Sequence, residues 1–287
     1  MTLLMKAKDA AEQMYERMKT QVEQLQRENI NPQMAVILVE GDPASLYYAQ
    51  AKHKLASKLG VQFTLHTLAA NTAEAALLQF IHELNMDTNV HGIMVELPLP
   101  KQISTAAVEA AIAPMKDIDG VTPANKLATM TGAPGLYPAT PQACIMLLKH
   151  YGYSLYGKNV TLVGRGQTVG MPLFHMLQRE NATVTVCHSH TADLASHLAQ
   201  ADIAFVAVGK ARMIVPAFVH SKLVIIDAGI NEDSDGKMAG DVAKETADCV
   251  EAMSPVPGGV GTLTTAILFN NLMQAVMLQL QEAESNE

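Results

Sequence analysis

Cysteine and positive charge are both scarce in this sequence. The 287 residues contain three cysteines, Cys144, Cys187 and Cys249, which lie far apart with no C-x-x-C pair. This spacing argues against a disulfide framework and a zinc module, and it predicts a reducing, cytoplasmic location. The formal net charge is −8, so we expect no general attraction to nucleic acid or to an anionic membrane, and an anionic ligand needs a local site.

The sequence also lacks membrane, secretion and repeat signals. Lys6 and Lys8 interrupt the N-terminus too early for a secretory apolar segment. The longest apolar stretch, residues 262–280, contains two asparagines and two glutamines, which is typical of an amphipathic helix packed on protein. No low-complexity tract or repeat of 20–50 residues occurs, which favours an ordinary globular protein and excludes a solenoid.

Short apolar runs alternate with helical patterns over two parts of the chain. In the first part, strand patterns at 34–41, 61–68 and 91–100 are separated by helices that begin near Pro43 and Thr72, which predicts a parallel sheet. The segment 114–141 is rich in Pro, Gly, Thr and Asp, and we interpret it as a connection. After a helix from about Thr140 to Tyr151, strands are expected at 160–163, 183–187, 203–208, 223–227 and near Cys249.

The predicted fold class is therefore α/β, with two doubly wound α/β domains. We expect the first domain to comprise residues 1–139 plus 262–287, with the C-terminal helix returning to it. Residues 140–261 form the predicted second, Rossmann-like domain.

A glycine-rich turn, "LVGRGQTVG" (162–170), joins the first strand and helix of the second domain. Gly164 and Gly166 are expected to let the backbone turn tightly and approach a ligand, and Gly170 to permit close packing of the helix. The free N–H groups at the helix N-terminus favour a phosphate. The glycines are one residue further apart than in the usual G-x-G-x-x-G pattern, and many glycine-rich turns bind nothing.

The tip of the next strand distinguishes NADP from NAD. It reads "TVCHSHT" and carries no carboxylate for a ribose 2′-hydroxyl, while Arg165 and Ser189 suit a 2′-phosphate. NADP is therefore the predicted cofactor. A strand tip offers at most two well-directed metal ligands, so we predict no metal site, and Cys187 has no evident base to make it a nucleophile.

A second polar group is predicted in the first domain. Ser45, Tyr48 and Lys52 recur at helical spacing, which places them on one face. Glu96 lies at the end of a strand and Asp119 in "KDIDG", so an acid/base set is expected at the carboxyl ends of these strands. The alternative is a tyrosine that packs on the sheet and a lysine that extends into water.

Taken in order, these motifs resemble the bifunctional methylenetetrahydrofolate dehydrogenase/methenyltetrahydrofolate cyclohydrolases. The resemblance spans almost the whole chain and is carried by "ASLYYAQAKHK", "GIMVELPLP", "KDIDGVTPAN", "TPQA", "GRGQTVGMP", "ATVTVCHSHT", "DAGIN", "GDV" and "PVPGGVGTLT". It implies a homodimeric enzyme that transfers hydride from a folate methylene group to NADP and then opens the methenyl bridge with water.

The resemblance also implies roles for individual residues. Tyr48 corresponds to the tyrosine that stacks on the folate aminobenzoyl ring, Lys52 to the catalytic lysine and Asp119 to the pterin-anchoring aspartate, with Glu96 beside them as a catalytic residue. The substrate contacts it implies are Ser45, Tyr48, Lys52, Val95, Glu96, Leu97, Asp119, Pro257, Gly258, Gly259 and Gly261. The cofactor contacts are Gly164, Arg165, Gly166, Gly170, Ser189 and Ile230.

Several positions depart from the family pattern. Most members carry Gln at Glu96, Ser is common at Gly166, and "NKLATM", "TPQA" and Thr262 are also unusual. A carboxylate within about 4–6 Å of a lysine favours its charged form, so Glu96 is expected to weaken the cyclohydrolase or to shift its pH optimum while sparing hydride transfer. A protonated Glu96 would behave like the amide.

Two alternatives to the bifunctional enzyme stay open at this point. One is another NADP-linked oxidoreductase, or a dehydrogenase without cyclohydrolase activity. The other is a non-catalytic NADP-binding sensor.

Overall fold

The computed structural model describes residues 2–41, 43–232 and 236–285, and the side chains of residues 43–45, 47 and 48 lie outside this description. The chain forms two compact units. The first unit comprises residues 14–129, 133–137 and 268–287, and the second unit comprises residues 1–13, 130–132 and 138–267.

The first unit is built on a three-stranded parallel sheet in the order β3-β2-β4. Its strands are β2 (Gln33–Val39), β3 (Gln62–Leu68) and β4 (Gly92–Val95). Its helices are α1 (Lys8–Arg27), α2 (Pro43–Leu59), α3 (Glu74–Met86), α4 (Thr105–Ala111) and α5 (Pro123–Thr131). Helix α1 begins within the second unit. The apolar run of β2 is buried on both faces, which explains its lack of alternation. Ile37, Ile81 and Ile93 belong to its buried core.

The second unit contains a six-stranded parallel sheet in the order β1-β11-β8-β7-β5-β6. Its strands are β1 (Leu3–Leu4), β5 (Asn159–Val163), β6 (Thr183–Cys187), β7 (Ile203–Val206), β8 (Val224–Asp227) and β11 (Ala252–Met253). Its helices are α6 (Ala139–His150), α7 (Gly170–Arg179) and α8 (Leu194–Ala199), with 3₁₀ turns at Pro216–Phe218 and Lys244–Cys249 and a small hairpin of β9 (Asn231–Glu232) and β10 (Met238–Ala239). Cys249 thus ends a 3₁₀ turn, and the expected last strand begins three residues later.

The last helix, α9 (Val260–Ser285), carries the chain back to the first unit from residue 268 onward, as predicted. Within that unit the buried Asn271 side chain donates hydrogen bonds to the carbonyls of Ile118 and Tyr137. Leu272 also occupies the space that a Cβ on Gly92 would need, 2.7 Å away. The helix is long and apolar enough to cross a membrane, but 56% of its most apolar window is buried inside the protein.

The α/β class and the parallel sheets are confirmed, whereas two features of the segmentation were not anticipated. Leu3 and Leu4 pair with Ala252 and Met253, so residues 1–13 belong to the second unit and not to the predicted first domain. The segment 114–141, interpreted as a connection, contains the helix α5. The domain boundaries and their ligand assignments otherwise stay a proposal.

Candidate functional site

The carboxyl end of β4 brings Lys52 and Glu96 together. Lys52 lies in α2, and Glu96 directly follows β4, where its backbone N–H donates to the Ile37 carbonyl. The Lys52 Nζ and Glu96 Oε1 atoms are 2.6 Å apart, and the side chains are only 12% and 7% exposed. Separating an ion pair this deeply buried costs free energy, because either group alone would be a buried charge without a partner.

Asp119 lies within electrostatic reach of this pair. The segment that leads to it runs beside β4, with Asp117 in a parallel bridge to Ile93. Loss of hydration on burial, followed by the charge of Asp117, raises the pKa of Asp119 to about 6, and the ammonium of Lys52 opposes this rise. Asp119 therefore changes charge just below neutral pH.

Asp117 is a residue that the sequence reasoning missed. Its fully buried carboxylate accepts hydrogen bonds from the backbone N–H groups of Val121 and Thr122 and from the Asn125 side chain. These bonds fix the turn that presents Asp119. The D-x-D spacing in "KDIDG" was the available signal, since the first carboxylate shapes the turn that carries the second.

Three predicted substrate contacts line one small cavity. Val95, Leu97 and Asp119 surround a volume of about 20 Å³, which is near the size of a water molecule and too small for a pterin. Ser45 and Tyr48 lie in the first turns of α2, and their side chains are outside the described part of the structure. We refer to Lys52, Glu96 and Asp119 as the acid/base cluster.

The glycine turn of the second unit has the expected place between β5 and α7. Gly164 has φ +119°, and a Cβ there would lie 2.1 Å from the Ala207 carbonyl oxygen. A Cβ on Gly170 would lie 2.4 Å from the Gly164 carbonyl oxygen, so close packing at the start of α7 requires glycine there too. These two positions fix the turn.

Gly166 differs from its neighbours. A Cβ at this position would meet nothing within 4 Å, and its φ is not positive. No contact within the described part of the chain requires glycine at 166, and its expected close approach to a ligand stays a prediction. Arg165, Gly166 and Ser189 are all exposed.

The strand tip after β6 does not have the properties of a nucleophile or metal site. Burial raises the pKa of the Cys187 thiol, against a smaller opposing effect of its hydrogen bond from Thr191. His188 accepts a hydrogen bond from the backbone N–H of His190 at 3.2 Å. Within residues 2–41, 43–232 and 236–285, no group of three His, Cys, Asp or Glu side chains is arranged to hold a metal ion.

The segment Pro257–Gly261 joins β11 to α9. Gly258 has φ +99°, and a Cβ on Gly259 would lie 2.4 Å from the Pro255 carbonyl oxygen, so both positions require glycine. Gly261 lies in the first turn of α9, with the Ile230 Cδ1 atom 3.5 Å from its Cβ position. The structure thus places a predicted substrate contact next to a predicted cofactor contact within the second unit.

Two family descriptions match the chain. "Tetrahydrofolate dehydrogenase/cyclohydrolase, catalytic domain" matches residues 5–119, and "Tetrahydrofolate dehydrogenase/cyclohydrolase, NAD(P)-binding domain" matches residues 138–280. The first match contains the acid/base cluster, and the second contains the glycine turn.

Individual relatives match over nearly their full length. A bifunctional protein FolD of Heliobacterium modesticaldum is 52% identical over 273 residues, which cover 95% of each chain. The crystal structure of a bifunctional methylenetetrahydrofolate dehydrogenase/cyclohydrolase from Campylobacter jejuni has a TM-score of 0.94 at 35% identity, over 97% of this chain and 100% of that one. A Trypanosoma brucei dehydrogenase-cyclohydrolase, complexed with NADP and an inhibitor, has a TM-score of 0.92 at 28% identity, over 97% and 98%.

Proposed function

The chain belongs to the tetrahydrofolate dehydrogenase/cyclohydrolase family, and we propose that it catalyses both reactions of that name. It oxidises methylenetetrahydrofolate to methenyltetrahydrofolate with NADP⁺ and then hydrolyses the product to 10-formyltetrahydrofolate. The observation that carries this proposal is the presence, in one chain, of the buried Lys52–Glu96 pair in the catalytic-domain match and of the glycine turn in the cofactor-domain match.

The dehydrogenase step depends on binding and orientation. NADP⁺, when bound, accepts a hydride from the folate methylene carbon, so the protein's task is to hold donor and acceptor carbons in line. Gly164 and Gly170 shape the turn at the start of α7, where the Met171 N–H donates to the Gly166 carbonyl and Pro172 has no N–H. We therefore assign the phosphate contacts to the turn itself and not to the helix N-terminus. Ile230, half exposed after β8, is the proposed backbone contact of the cofactor.

The choice of NADP over NAD is supported by the residues beside β6. The described tip carries Ser189 and two histidines, with Arg165 exposed on the neighbouring turn. A carboxylate in this place would repel a 2′-phosphate, whereas a guanidinium and a hydroxyl can bind it. The NADP complex of the Trypanosoma brucei relative agrees with this choice.

The cyclohydrolase step needs a group that takes a proton from attacking water, and we assign this role to neutral Lys52. The Glu96 Oε1 atom accepts a hydrogen bond from Lys52 Nζ at 2.6 Å, so this buried pair must separate before Lys52 can accept a proton from water. We therefore propose that hydrolysis is slower at neutral pH than it would be with glutamine at this position. Tyr48 and Asp119 are proposed to hold the folate ring system.

Assembly and location are further parts of the proposal. We propose a homodimer by analogy with the family. A cytoplasmic location is proposed on the same ground, and the free cysteines Cys144, Cys187 and Cys249 agree with it. No nucleic-acid or membrane partner is proposed, in line with the negative net charge.

A direct assay tests the function. Wild-type protein mixed with methylenetetrahydrofolate and NADP⁺ should produce NADPH fluorescence, and methenyltetrahydrofolate supplied without cofactor should lose its characteristic absorbance as it is hydrolysed. Cofactor binding without turnover would instead identify a sensor. A parallel reaction with NAD⁺ tests the cofactor choice, and faster turnover with NAD⁺ would contradict the assignment of Arg165 and Ser189.

A further inference from the structure

Two buried carboxylates lie at the carboxyl edge of the six-stranded sheet, away from the acid/base cluster. Asp227 ends β8, and Asp241 lies between the β9–β10 hairpin and the 3₁₀ turn at Lys244–Cys249. They are 2% and 0% exposed. Neither belongs to the predicted site, although both occur in motifs, "DAGIN" and "GDV", that the sequence singles out.

The Asp241 carboxylate accepts hydrogen bonds from four N–H donors in the described part of the chain. Its Oδ2 atom accepts hydrogen bonds from the backbone N–H groups of Val208 at 2.7 Å and Gly209 at 3.1 Å. Its Oδ1 atom accepts from the backbone N–H of Lys210 at 2.8 Å and from the Asn231 side chain at 2.9 Å. Four donors on two oxygens suit an ionised carboxylate, which accepts at both atoms.

These donors belong to two loops that follow neighbouring strands. Residues 208–210 follow β7, and residues 229–231 follow β8. After β5, the chain adds β6 on one side of β5 and then β7 on its other side. The order of strand addition therefore reverses between β5 and β7, although all strands stay parallel. Ligands of open α/β sheets bind at such switch points, at the carboxyl ends of the strands.

The first loop continues directly from the backbone against which the glycine turn packs. The Cβ position of Gly164 is 2.1 Å from the Ala207 carbonyl oxygen, and Ala207 precedes the loop that Asp241 holds. The second loop contains Ile230, the proposed cofactor contact. Asp241 therefore fixes one loop beside the phosphate-binding turn and another that carries a cofactor contact.

Asp227 anchors Asp241 in turn. Its carboxylate accepts from the backbone N–H groups of Gly229, Asp241 and Val242. Side chains at Gly229 and Gly240 have no room, because their Cβ positions lie 2.3 Å from the Asp241 carboxyl carbon and 2.0 Å from Asp227 Oδ2. The two carboxylates thus occupy the space that these glycines leave.

We propose that Asp241 is a positioning residue for the dehydrogenase half-reaction, which sets the loops 208–210 and 229–231 around the nicotinamide cofactor. This inference rests on the proposed function and adds a residue to it. Asp241 acts through backbone geometry and transfers no proton, so its loss should affect cofactor binding and hydride transfer and leave hydrolysis intact.

The central experiment compares Asp241→Asn with wild type in five measured quantities. In either orientation the amide places an NH₂ group against two N–H donors, so we expect the loops to shift. The KM for NADP⁺ should rise about tenfold or more and the dehydrogenase kcat should fall, since misplacement by about 1 Å can cost 100-fold in rate. The KM for methylenetetrahydrofolate and the rate of cofactor-free cyclohydrolase should stay within about twofold of wild type. The dissociation constant of NADPH, measured by its fluorescence, should rise by a factor similar to that of the KM for NADP⁺.

Asp202→Asn is the matched control. Asp202 is also a carboxylate that accepts a backbone N–H, from Asn159 at 2.9 Å, but it lies at the amino ends of the strands in the same sheet. It should leave NADPH binding unchanged. Asn231→Ala removes one bond to Asp241 from the second loop and should weaken NADPH binding by a smaller factor, which keeps the inference testable should Asp241→Asn fail to fold.

The outcomes separate this inference from the proposed function. Equal losses of both half-reactions in Asp241→Asn and Asn231→Ala, or unchanged NADPH binding in both, would overturn the positioning role. A wild-type protein that binds NADPH without oxidising methylenetetrahydrofolate would contradict the proposed function alone, because binding to wild type and variants would still measure what Asp241 does.

Discussion

The two units hold their carboxylates in different ways. In the first unit Glu96 meets the ammonium of Lys52, and Asp119 carries a pKa of about 6 nearby. In the second unit Asp227 and Asp241 accept hydrogen bonds from backbone N–H groups. A carboxylate beside a titratable amine controls where a proton resides, whereas one surrounded by backbone donors controls where loops lie. The first arrangement suits hydrolysis by water, and the second suits hydride transfer, which depends on position.

The largest effect that separates the two arrangements is expected from Lys52→Gln. Loss of the proton acceptor should reduce cyclohydrolase activity by about 10²–10⁴-fold, the usual contribution of general base catalysis. Dehydrogenase activity should fall much less, because hydride transfer needs no neutral lysine. Both half-reactions measured at saturating substrate give the comparison.

The control for Lys52→Gln is the double variant Lys52→Gln/Glu96→Gln. It removes the unpaired buried carboxylate that the single change leaves, a defect that can cost about 3–5 kcal/mol. The double variant should recover thermal stability without recovering hydrolysis. Recovery of hydrolysis would contradict the role of Lys52 as the base.

Gly164→Ala should have the next largest effect, on the dehydrogenase alone. The added methyl would overlap the Ala207 carbonyl oxygen and impose a side chain on a φ of +119°. A backbone shift of about 1 Å is expected to lower kcat/KM for NADP⁺ by roughly 100-fold. Cofactor-free cyclohydrolase is the internal reference.

Gly166→Ala is the matched variant within the same turn. Its Cβ would occupy open space, so the free energy of unfolding should change little. Equal thermal destabilisation by the two substitutions would show that the turn is less constrained at Gly164 than the contacts indicate.

A smaller change is expected from Glu96→Gln. The substitution removes the carboxylate that holds Lys52 Nζ at 2.6 Å, so cyclohydrolase activity should rise by up to about tenfold, while dehydrogenase activity should stay within about twofold of wild type. The rates of both half-reactions at pH 7.5 measure this. Unchanged cyclohydrolase activity would contradict the proposed effect of Glu96.

The smallest effect concerns folding. The pKa of Asp119 is about 6 in the folded protein, above its ordinary value of 3.8, so ionisation disfavours the folded state. This cost is absent below about pH 4, grows as the pH rises and is complete above about pH 6. Because Asp119 is partly exposed, Asp119→Asn should stabilise the protein at pH 7.5 by about 1–3 kcal/mol, and by about half as much at pH 5.

Asp117→Asn is expected to change the free energy of unfolding in the opposite direction to Asp119→Asn. Asp117 accepts three hydrogen bonds as a buried carboxylate, and the amide can satisfy fewer of them. We expect destabilisation of about 1–3 kcal/mol. Thermal unfolding of both variants at the two pH values makes the comparison, and stabilisation by both would contradict the assigned roles of this D-x-D pair.

Local patterns in the sequence were enough to predict most of the elements. The apolar run of β2, the start of α2 near Pro43 and the glycine turn before α7 are all local signals, and each element formed where it was expected. Leu3 and Leu4 carried no such signal. Two residues become a strand only because β11, some 250 positions later, offers an edge, and such pairing is not encoded locally.

The site shows the same limit. The resemblance to a family identified Lys52, Glu96 and Asp119, and helical spacing with strand ends explained why they could meet. The roles of Asp117 and Asp241 depend on which N–H groups surround their carboxylates in the fold. The D-x-D spacing could point to Asp117, but spacing contains no information about those donors, so the roles of both residues emerged only from the structure.

The exchange of chain ends has a consequence for how this enzyme can be divided. Residues 1–13 complete the sheet of the second unit, and residues from 268 onward complete the core of the first. Any single cut in the middle of the gene would therefore give two fragments that each lack a piece held by the other. During synthesis, all the residues of the second unit are made before the first unit receives the part of α9 that completes its core, so the first unit is expected to fold later than the second.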